Sequence, residues 1–407
     1  MSEQKFKLYG YRWVVLAVFM FINLTIQVLW IGYAPITTEA AKFYGVSEAQ
    51  IVLLAMSFMV AFIPLSIPVS WVIDRYGFRP AVSIGAVLMG IFGLARGLAG
   101  NNYSIVLWST LGIAAAQPFL LNAWTKVPAN WFGLDERATA VGLVTLSSLV
   151  GTGLGMALTP ILTGSMDIPT VQLVYGGLAA LSSVLFIIFA RENPPTPPCP
   201  PGQEVRSLMF DGLKNALRVR SFWFFLVIFF IAMAIFNGVT SWVDVIIRPR
   251  GFTAVDVGTA GALMLTGGII GAIVIPPFSD KQRKRKIYLT AGFLLAVPFL
   301  LGLTFANSAW MLFVSSFMLG VCLVGVSPIG FQYAAEITQP TPEGTSNGLL
   351  QLVGQLSVVI VYNMDLIKSP DGSLTPALIF ATGLLILSVI LTTQLQDPKF
   401  ANNENNL

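Results

Sequence analysis

Histidine is missing from all 407 residues, cysteine occurs only twice, and 10% of the chain is charged. Each scarcity excludes something. Without histidine there is no imidazole to ligate zinc, to relay a proton near neutral pH or to act as a general base. Cys199 and Cys322 stand too far apart in sequence to suggest a disulfide framework or a metal knuckle. The charged fraction is far below the quarter or so usual in soluble domains, so this is not a soluble globular chain. No long basic run is interleaved with aromatics, and the net charge of +4 therefore does not describe a nucleic-acid binder. No nucleophile, base and orienting group cluster at one plausible depth, which argues against an enzyme. No metal or cofactor is expected.

What is present is apolar chain, 55% of it hydrophobic. A helix needs about twenty apolar residues to cross a bilayer. Twelve runs of that kind stand out, at 13–36, 51–73, 81–99, 105–126, 136–163, 171–189, 222–247, 257–278, 287–305, 310–335, 344–367 and 376–395. The first is too long for a signal-peptide core and lacks a small-residue cleavage site, so it reads as a retained helix. Between the sixth and seventh runs, Asn193 to Gly202 is so rich in proline that an extended spacer is expected. After it, Leu208, Met209, Leu213 and Leu217 recur at helical spacing opposite Lys214, Arg218 and Arg220. That pattern suits a helix lying on the membrane surface or a solvated linker. The expectation is an all-α membrane protein with twelve transmembrane helices in two six-helix halves, 1–191 and 221–407, joined by a linker at 192–220.

Charge orients the chain. Of the 23 Lys and Arg, 18 fall at the amino end, in the breaks after spans two, four, six and eight, or at Lys399. Under the positive-inside rule both termini face the cytoplasm. A multi-pass, monomeric protein of the plasma membrane is expected, with the lipid bilayer and a small-molecule solute as partners.

The halves repeat when slid by about 206 residues. Asp74, heading the break Asp74-Arg75-Tyr76-Gly77-Phe78-Arg79-Pro80, falls on Asp280 at the head of Asp280-Lys281-Gln282-Arg283-Lys284-Arg285. Glu136 to Gly142 falls within a residue of Glu343 to Gly348, and Leu149 falls on Gln355. Gly77 supplies the backbone freedom that a turn this tight needs.

Polar groups at membrane depth usually face a cavity or a partner helix. By depth the candidates are Asn23, Gln27, Trp30 and Tyr33 on the first span, then Gln117, Asn122 and Trp124 on the fourth, and Ser147 and Ser148 on the fifth. In the second half they are Asn237, Thr240, Ser241 and Trp242 on the seventh span, Gln332 on the tenth, and Gln351 and Gln355 on the eleventh. The set has aromatic rings and amides but no acid or base, which suits a neutral ligand or a delocalised cation held against a ring. Flux should then depend only weakly on a pH gradient. Packing or interfacial anchoring competes for every tryptophan, and depth favours it for Trp124 and Trp310. Glu39, Arg96 and Asp244 fall near outer ends, where snorkelling or pairing in a vestibule is expected. Glu336 ends the tenth span at the inner face, and Glu343 opens the eleventh, where a carboxylate suits the positive end of the helix dipole.

The break at Asp74 resembles the loop between helices 2 and 3 of the major facilitator superfamily, with Asp74, Arg75, Gly77 and Arg79 matching and Ser70 standing for the leading glycine. The resemblance implies the major facilitator fold, alternating access, and a gating set of Asp74, Arg75, Gly77, Arg79, Asp280, Glu336 and Glu343. A narrower likeness follows from Gly330-Phe-Gln-Tyr-Ala-Ala-Glu336-Ile-Thr with Glu343-Gly-Thr-Ser-Asn-Gly348-Leu-Leu, from Tyr11-Arg12-Trp13, and from Trp30-Ile-Gly-Tyr33 with Phe43-Tyr-Gly-Val46. These segments are similar to the feline leukaemia virus subgroup C receptor-related transporters, which carry choline and ethanolamine and for which haem export has been proposed. In that family a Trp on helix 1, an aromatic on helix 7 and Gln on helices 5 and 11 meet the cation. Trp30 and Gln355 match, the helix 7 aromatic lands on or next to Phe236-Asn237, most simply on Asn237, and the helix 5 Gln lands on Leu149. The resemblance implies a transporter of a small organic solute, an organic cation such as choline or ethanolamine, with Trp30, Gln355, Asn237, Gln27, Tyr33, Gln117 and Gln332 as the binding set. A haem-like metabolite, an organic anion, and a non-transporting receptor or sensor of the same fold are the alternatives.

Overall fold

Twelve helices long and apolar enough to cross a membrane follow one another, and no strand occurs among the described residues. The computed structural model describes residues 8–196, 214–282, 284–339, 341 and 343–396, the side chains at 134, 135, 138 and 343–345 excepted. Cys199, most of the proline-rich spacer, the first turns of the expected surface helix and the Glu343 side chain lie outside the described residues. The ends of the spans are named inner and outer after the charge bias of the sequence.

The spans are α1 (Arg12–Tyr44), α2 (Glu48–Tyr76), α3 (Phe78–Leu98), α4 (Tyr103–Trp131), α5 (Leu134–Thr163) and α6 (Ile168–Phe189). The second series is α7 (Arg220–Ser241), α8 (Ala254–Gln282), α9 (Arg285–Thr304), α10 (Ala309–Ile337), α11 (Glu343–Leu356, continued as Val358–Asn363) and α12 (Thr375–Thr392). Local chemistry sets several of the starts. Ser47 and Gln50 cap α2 reciprocally, while Asn102 and Ser308 accept from the third backbone N–H of α4 and α10.

Among the described residues five spans are interrupted. α1 breaks at Gly32 and Tyr33 before a 3-10 turn at Ala34–Ile36, and α4 breaks at 122–125. In the second series α7 stops at Ser241 before the short helix Val243–Ile247, α10 breaks at 324–326, and α11 breaks at Ser357. The interruptions of α1 and α7, and of α4 and α10, fall at nearby positions under the 206-residue shift. Broken spans leave backbone carbonyls and amides without intrahelical partners at membrane depth, which is affordable only where protein or water meets them.

The chain divides into two compact units. One takes the chain to Glu204 together with Val239–Ala262, and the other takes Val205–Gly238 and the chain from Leu263. In the first, α3 and α6 cross where a Cβ on Gly97 would overlap the Leu173 backbone and one on Gly176 would overlap Gly93. Small residues of this kind let helix backbones approach within a membrane. In the same unit Phe19, Phe78, Phe132 and Phe186 form part of a wholly buried apolar core. In the second unit Gly320 on α10 meets Met264 and Gly268 on α8 as closely, and Gly271 meets Gly325. Large apolar side chains such as Trp71, Trp108, Ile273 and Phe380 point outward, as a lipid-facing surface requires.

Candidate functional site

Along α1 nearly every residue from Ile22 to Ile31 is buried, except Leu24, Gln27 and Trp30. Those three are spaced at i, i+3 and i+6, so Gln27 and Trp30 share one accessible face of the helix. The Trp30 indole N–H donates to the carbonyl of Ala55 at 3.1 Å, which fixes the ring against α2. Gln27 Oε1 has no hydrogen-bond partner among the described residues, and neither does Oε1 of the buried Gln117 on α4. Asn23 lies off this face. Its Oδ1 accepts from the Trp124 indole at 2.6 Å and its Nδ2 donates to Phe19 O, so Asn23 and Trp124 pack α1 against the break in α4. Asn122 ties the same break to α2 through Ser66 and Ser70. Ser147 and Ser148 both donate to the Val144 carbonyl on their own helix. Tyr33 is buried, bonded to Tyr44 at 3.0 Å and lying beneath the Arg96 guanidinium.

In the second unit, buried Asn237 on α7 donates to the Ser357 hydroxyl at 3.2 Å, at the break in α11. Gln355 stands two residues before that break and is half-buried. Asn237 is thereby brought to the break in α11, and Gln27 and Trp30 to one face of α1. Gln332 is exposed and donates to Glu336 at 2.9 Å, which attaches it to the inner end of α10.

At the inner end of the first unit the turn after α2 is built around Glu192. Its carboxylate accepts from the backbone N–H of Phe78 at 3.0 Å and of Arg79 at 2.6 Å, with Asn130 Nδ2 at 3.3 Å. A carboxylate at a helix amino terminus fills donors that otherwise have none and meets the positive end of the dipole. Gly77 is required twice over: its φ is +95°, and a Cβ there would lie 2.5 Å from that carboxylate. Asp74 is exposed and pairs with Lys126 at 3.8 Å, and the Arg75 guanidinium stacks on Trp71.

The equivalent turn in the second unit works through side chains. Arg285, only 7% exposed, is clasped by Asp280 and by Glu336 at 2.9 Å, with Ser279 at 3.1 Å. Lys286 beside it donates to the Thr393 and Leu395 carbonyls at the end of α12.

A further polar cluster joins the outer part of α1 to the segment after α7. Asp244 accepts from the Thr38 backbone N–H at 2.6 Å and is ion-paired with Arg248 at 3.0 Å, while Arg248 also pairs with Glu39. Burial pushes the Asp244 carboxyl up to about 6, against the pull of the Thr38 donors and Lys42, with Glu48 adding to the rise. Arg96 neither reaches the surface nor pairs with an acid among the described residues: it is 1% exposed.

Sequence reasoning missed Glu192 and Gln172 and placed Arg96 in a vestibule. Glu192 stands just past the end of α6 in a stretch that reads as linker, although a helix antiparallel to α3 must end beside the α3 amino terminus. Gln172 stands near the outer start of α6, away from the depth at which candidates were sought. Among the described residues no group of acids and cysteines could hold a metal ion.

The family model of the Major Facilitator Superfamily matches residues 13–362. The choline/ethanolamine transporter flvcr2b of Danio rerio is 26% identical over 94% of this chain and 84% of its own length. The choline/ethanolamine transporter FLVCR2 of Homo sapiens is 26% identical over 94% of this chain and 76% of its own. Among solved structures, a bacterial homologue of the human lysosomal transporter Spinster, inward-facing and unoccupied, has a TM-score of 0.81 at 15% identity and covers 97% of this chain and all of that one.

Proposed function

Because the chain belongs to the major facilitator superfamily, we propose that it carries a small organic cation of the choline or ethanolamine class across the plasma membrane by alternating access, as a monomer with both termini cytoplasmic. The observation that carries the reading is the similarity to choline/ethanolamine transporters over 94% of the chain. Two features of the molecule support it. On α1 an indole and an amide share the accessible face, and a ring face attracts a quaternary ammonium. The unpartnered oxygens of Gln27 and Gln117 are acceptors suited to a ligand that donates.

In this reading Trp30, Gln27, Gln117, Asn237 and Gln355 meet the solute, Tyr33 backs the first of them, and Gln332 lies at the inner margin. Asp74, Arg75, Gly77, Arg79, Asp280, Glu336 and Glu343 govern gating. The solute gradient and the membrane potential supply the drive, since the binding set has no titratable acid or histidine. Asn237 and Leu149, standing where the relatives' family has an aromatic and a glutamine, bear on which cation is preferred.

The test is ligand-induced thermal stabilisation of the purified chain by choline, ethanolamine and 3,3-dimethylbutanol, the uncharged shape analogue of choline. Choline should stabilise and the alcohol should not. A cation held by a ring gains about 0.5 to 2 kcal/mol, so Trp30→Ala should weaken choline binding by about twofold to thirtyfold. Trp30→Phe should keep part of the affinity, Gln355→Ala should lose some, and Trp310→Ala, at a residue 78% exposed, should lose none. Equal responses to cation and alcohol, or an unchanged Trp30→Ala, would remove the cation. Binding without flux in proteoliposomes would make the protein a receptor.

A further inference from the structure

We propose that the first unit holds a small inorganic anion of chloride size on Arg96 and Gln172, at the outer crossing of α3 and α6. Arg96 sits in the last turn of α3 and is 1% exposed. One of its nitrogens, Nη1, donates to Leu29 O at 2.9 Å, a carbonyl in the final turn of α1 before the break, where intrahelical partners run out. Its flat face lies 5.5 Å from the centre of the Tyr33 ring. That leaves Nε and Nη2 buried without an acceptor among the described residues. No carboxylate pairs with Arg96 there. The groups that feel its charge are the phenols of Tyr33, Tyr44 and Tyr175, and the acid at the rim, Asp167, faces Tyr44.

Gln172 completes the set. It is wholly buried on α6, and both its amide nitrogen and its amide oxygen lack partners. It lies one turn before Tyr175 on the same helix face and beside Leu173, whose backbone is in contact with Gly97, the neighbour of Arg96. The Tyr33 and Tyr44 hydroxyls share one hydrogen bond, so one of their two protons is free for another acceptor. Three guanidinium N–H bonds on Nε and Nη2, an amide NH2 and a phenol O–H are thus left to be filled, with one unfilled side-chain acceptor, Gln172 Oε1, among them. A buried positive charge with surplus donors and no carboxylate is the chemistry of an anion site, because an isolated buried ion is far costlier than a paired one. Size follows from burial: with both residues closed off, a ligand carrying an organic tail has no room for it. The anion neutralises Arg96 where it braces the break in α1, on which Tyr33 and the accessible Trp30 depend.

The test is thermal unfolding of the purified full chain titrated with sodium chloride, with sodium gluconate holding the ionic strength constant. Chloride should raise the midpoint saturably by several degrees, and bromide should substitute for it. In Arg96→Met the midpoint should be the same in either salt. In Gln172→Leu the half-saturating chloride concentration should rise several-fold, and this arm stands even if Arg96→Met does not fold. A wild-type midpoint indifferent to chloride overturns the proposal and leaves Arg96 as a brace for Leu29 alone. Chloride dependence that survives unchanged in Gln172→Leu overturns it as well, by placing the anion elsewhere.

Discussion

The turn after α2 and the turn after α8 begin with the same residue at equivalent positions, Asp74 and Asp280, yet they are held by different physics. In the first, the tie runs from a side chain to the backbone, Glu192 filling the free N–H groups of Phe78 and Arg79. In the second, it runs from side chain to side chain, with buried Arg285 between Asp280 and Glu336. Under the 206-residue shift Glu336 falls on Asn130, so the carboxylate that clasps the second turn stands where the first has only an amide assisting Glu192. A repeated motif thus preserves the place of a tie and not its chemistry. A backbone tie is indifferent to the side chain at Arg79, whereas the side-chain clasp fails if either partner is lost.

The largest effect that would sharpen this contrast is expected at Glu336. Glu336→Leu leaves a nearly buried guanidinium with one acidic partner, the exposed Asp280, beside the Ser279 hydroxyl, and should destabilise the protein by about 3 kcal/mol, read as the loss of monodisperse protein on mild heating. Adding Arg285→Met to it should recover much of that loss, because no uncompensated charge remains. If the double variant is as unstable as the single one, the clasp is not electrostatic in the sense argued. Glu192→Ala should cost less, about 1 to 2 kcal/mol, since the freed N–H groups at the start of α3 can reach water. Hydrogen exchange at the first turn of α3 should rise while the second unit stays unchanged. The smallest effect on stability belongs to Asp74→Asn, which removes only an exposed pair with Lys126, worth less than about 1 kcal/mol. Its turnover should nevertheless fall at matched expression if Asp74 governs gating as proposed. Normal turnover in Asp74→Asn would break the comparison by removing gating from the first turn.

Hydropathy made the twelve spans legible because crossing a bilayer demands a length of apolar chain that nothing else requires. The shift that pairs Asp74 with Asp280 was legible too. The facing of polar residues was not. Asn23, Gln27 and Trp30 read alike by depth, yet Asn23 is spent on Trp124 while the other two share an accessible face. The break in α4 at 122–125 has a local cause in Pro128, which has no N–H for the Trp124 carbonyl and crowds it; Asn122 reaching to Ser66 and Ser70 stabilises it. Arg96 was misplaced because depth along a helix does not say whether a side chain turns toward lipid, water or a neighbouring helix.

Asp244 gives the outer cluster a further property: it makes the cluster a latch with two separable parts. Thr38 and Asp244 are 206 residues apart, so equivalent positions of the repeat meet in one hydrogen bond. The same carboxylate pairs with Arg248 at 3.0 Å, and both contacts favour its charged form against the burial that opposes it. Asp244→Asn keeps an acceptor for the Thr38 N–H and removes the ion pair, whereas Asp244→Leu removes both. Exchange of the amides around Thr38 should therefore rise in Asp244→Asn and rise further in Asp244→Leu. Equal exchange in the two variants would leave the Thr38 bond no part in holding the segment. A carrier so built has at its outer end a fastening that loosens in steps and not all at once.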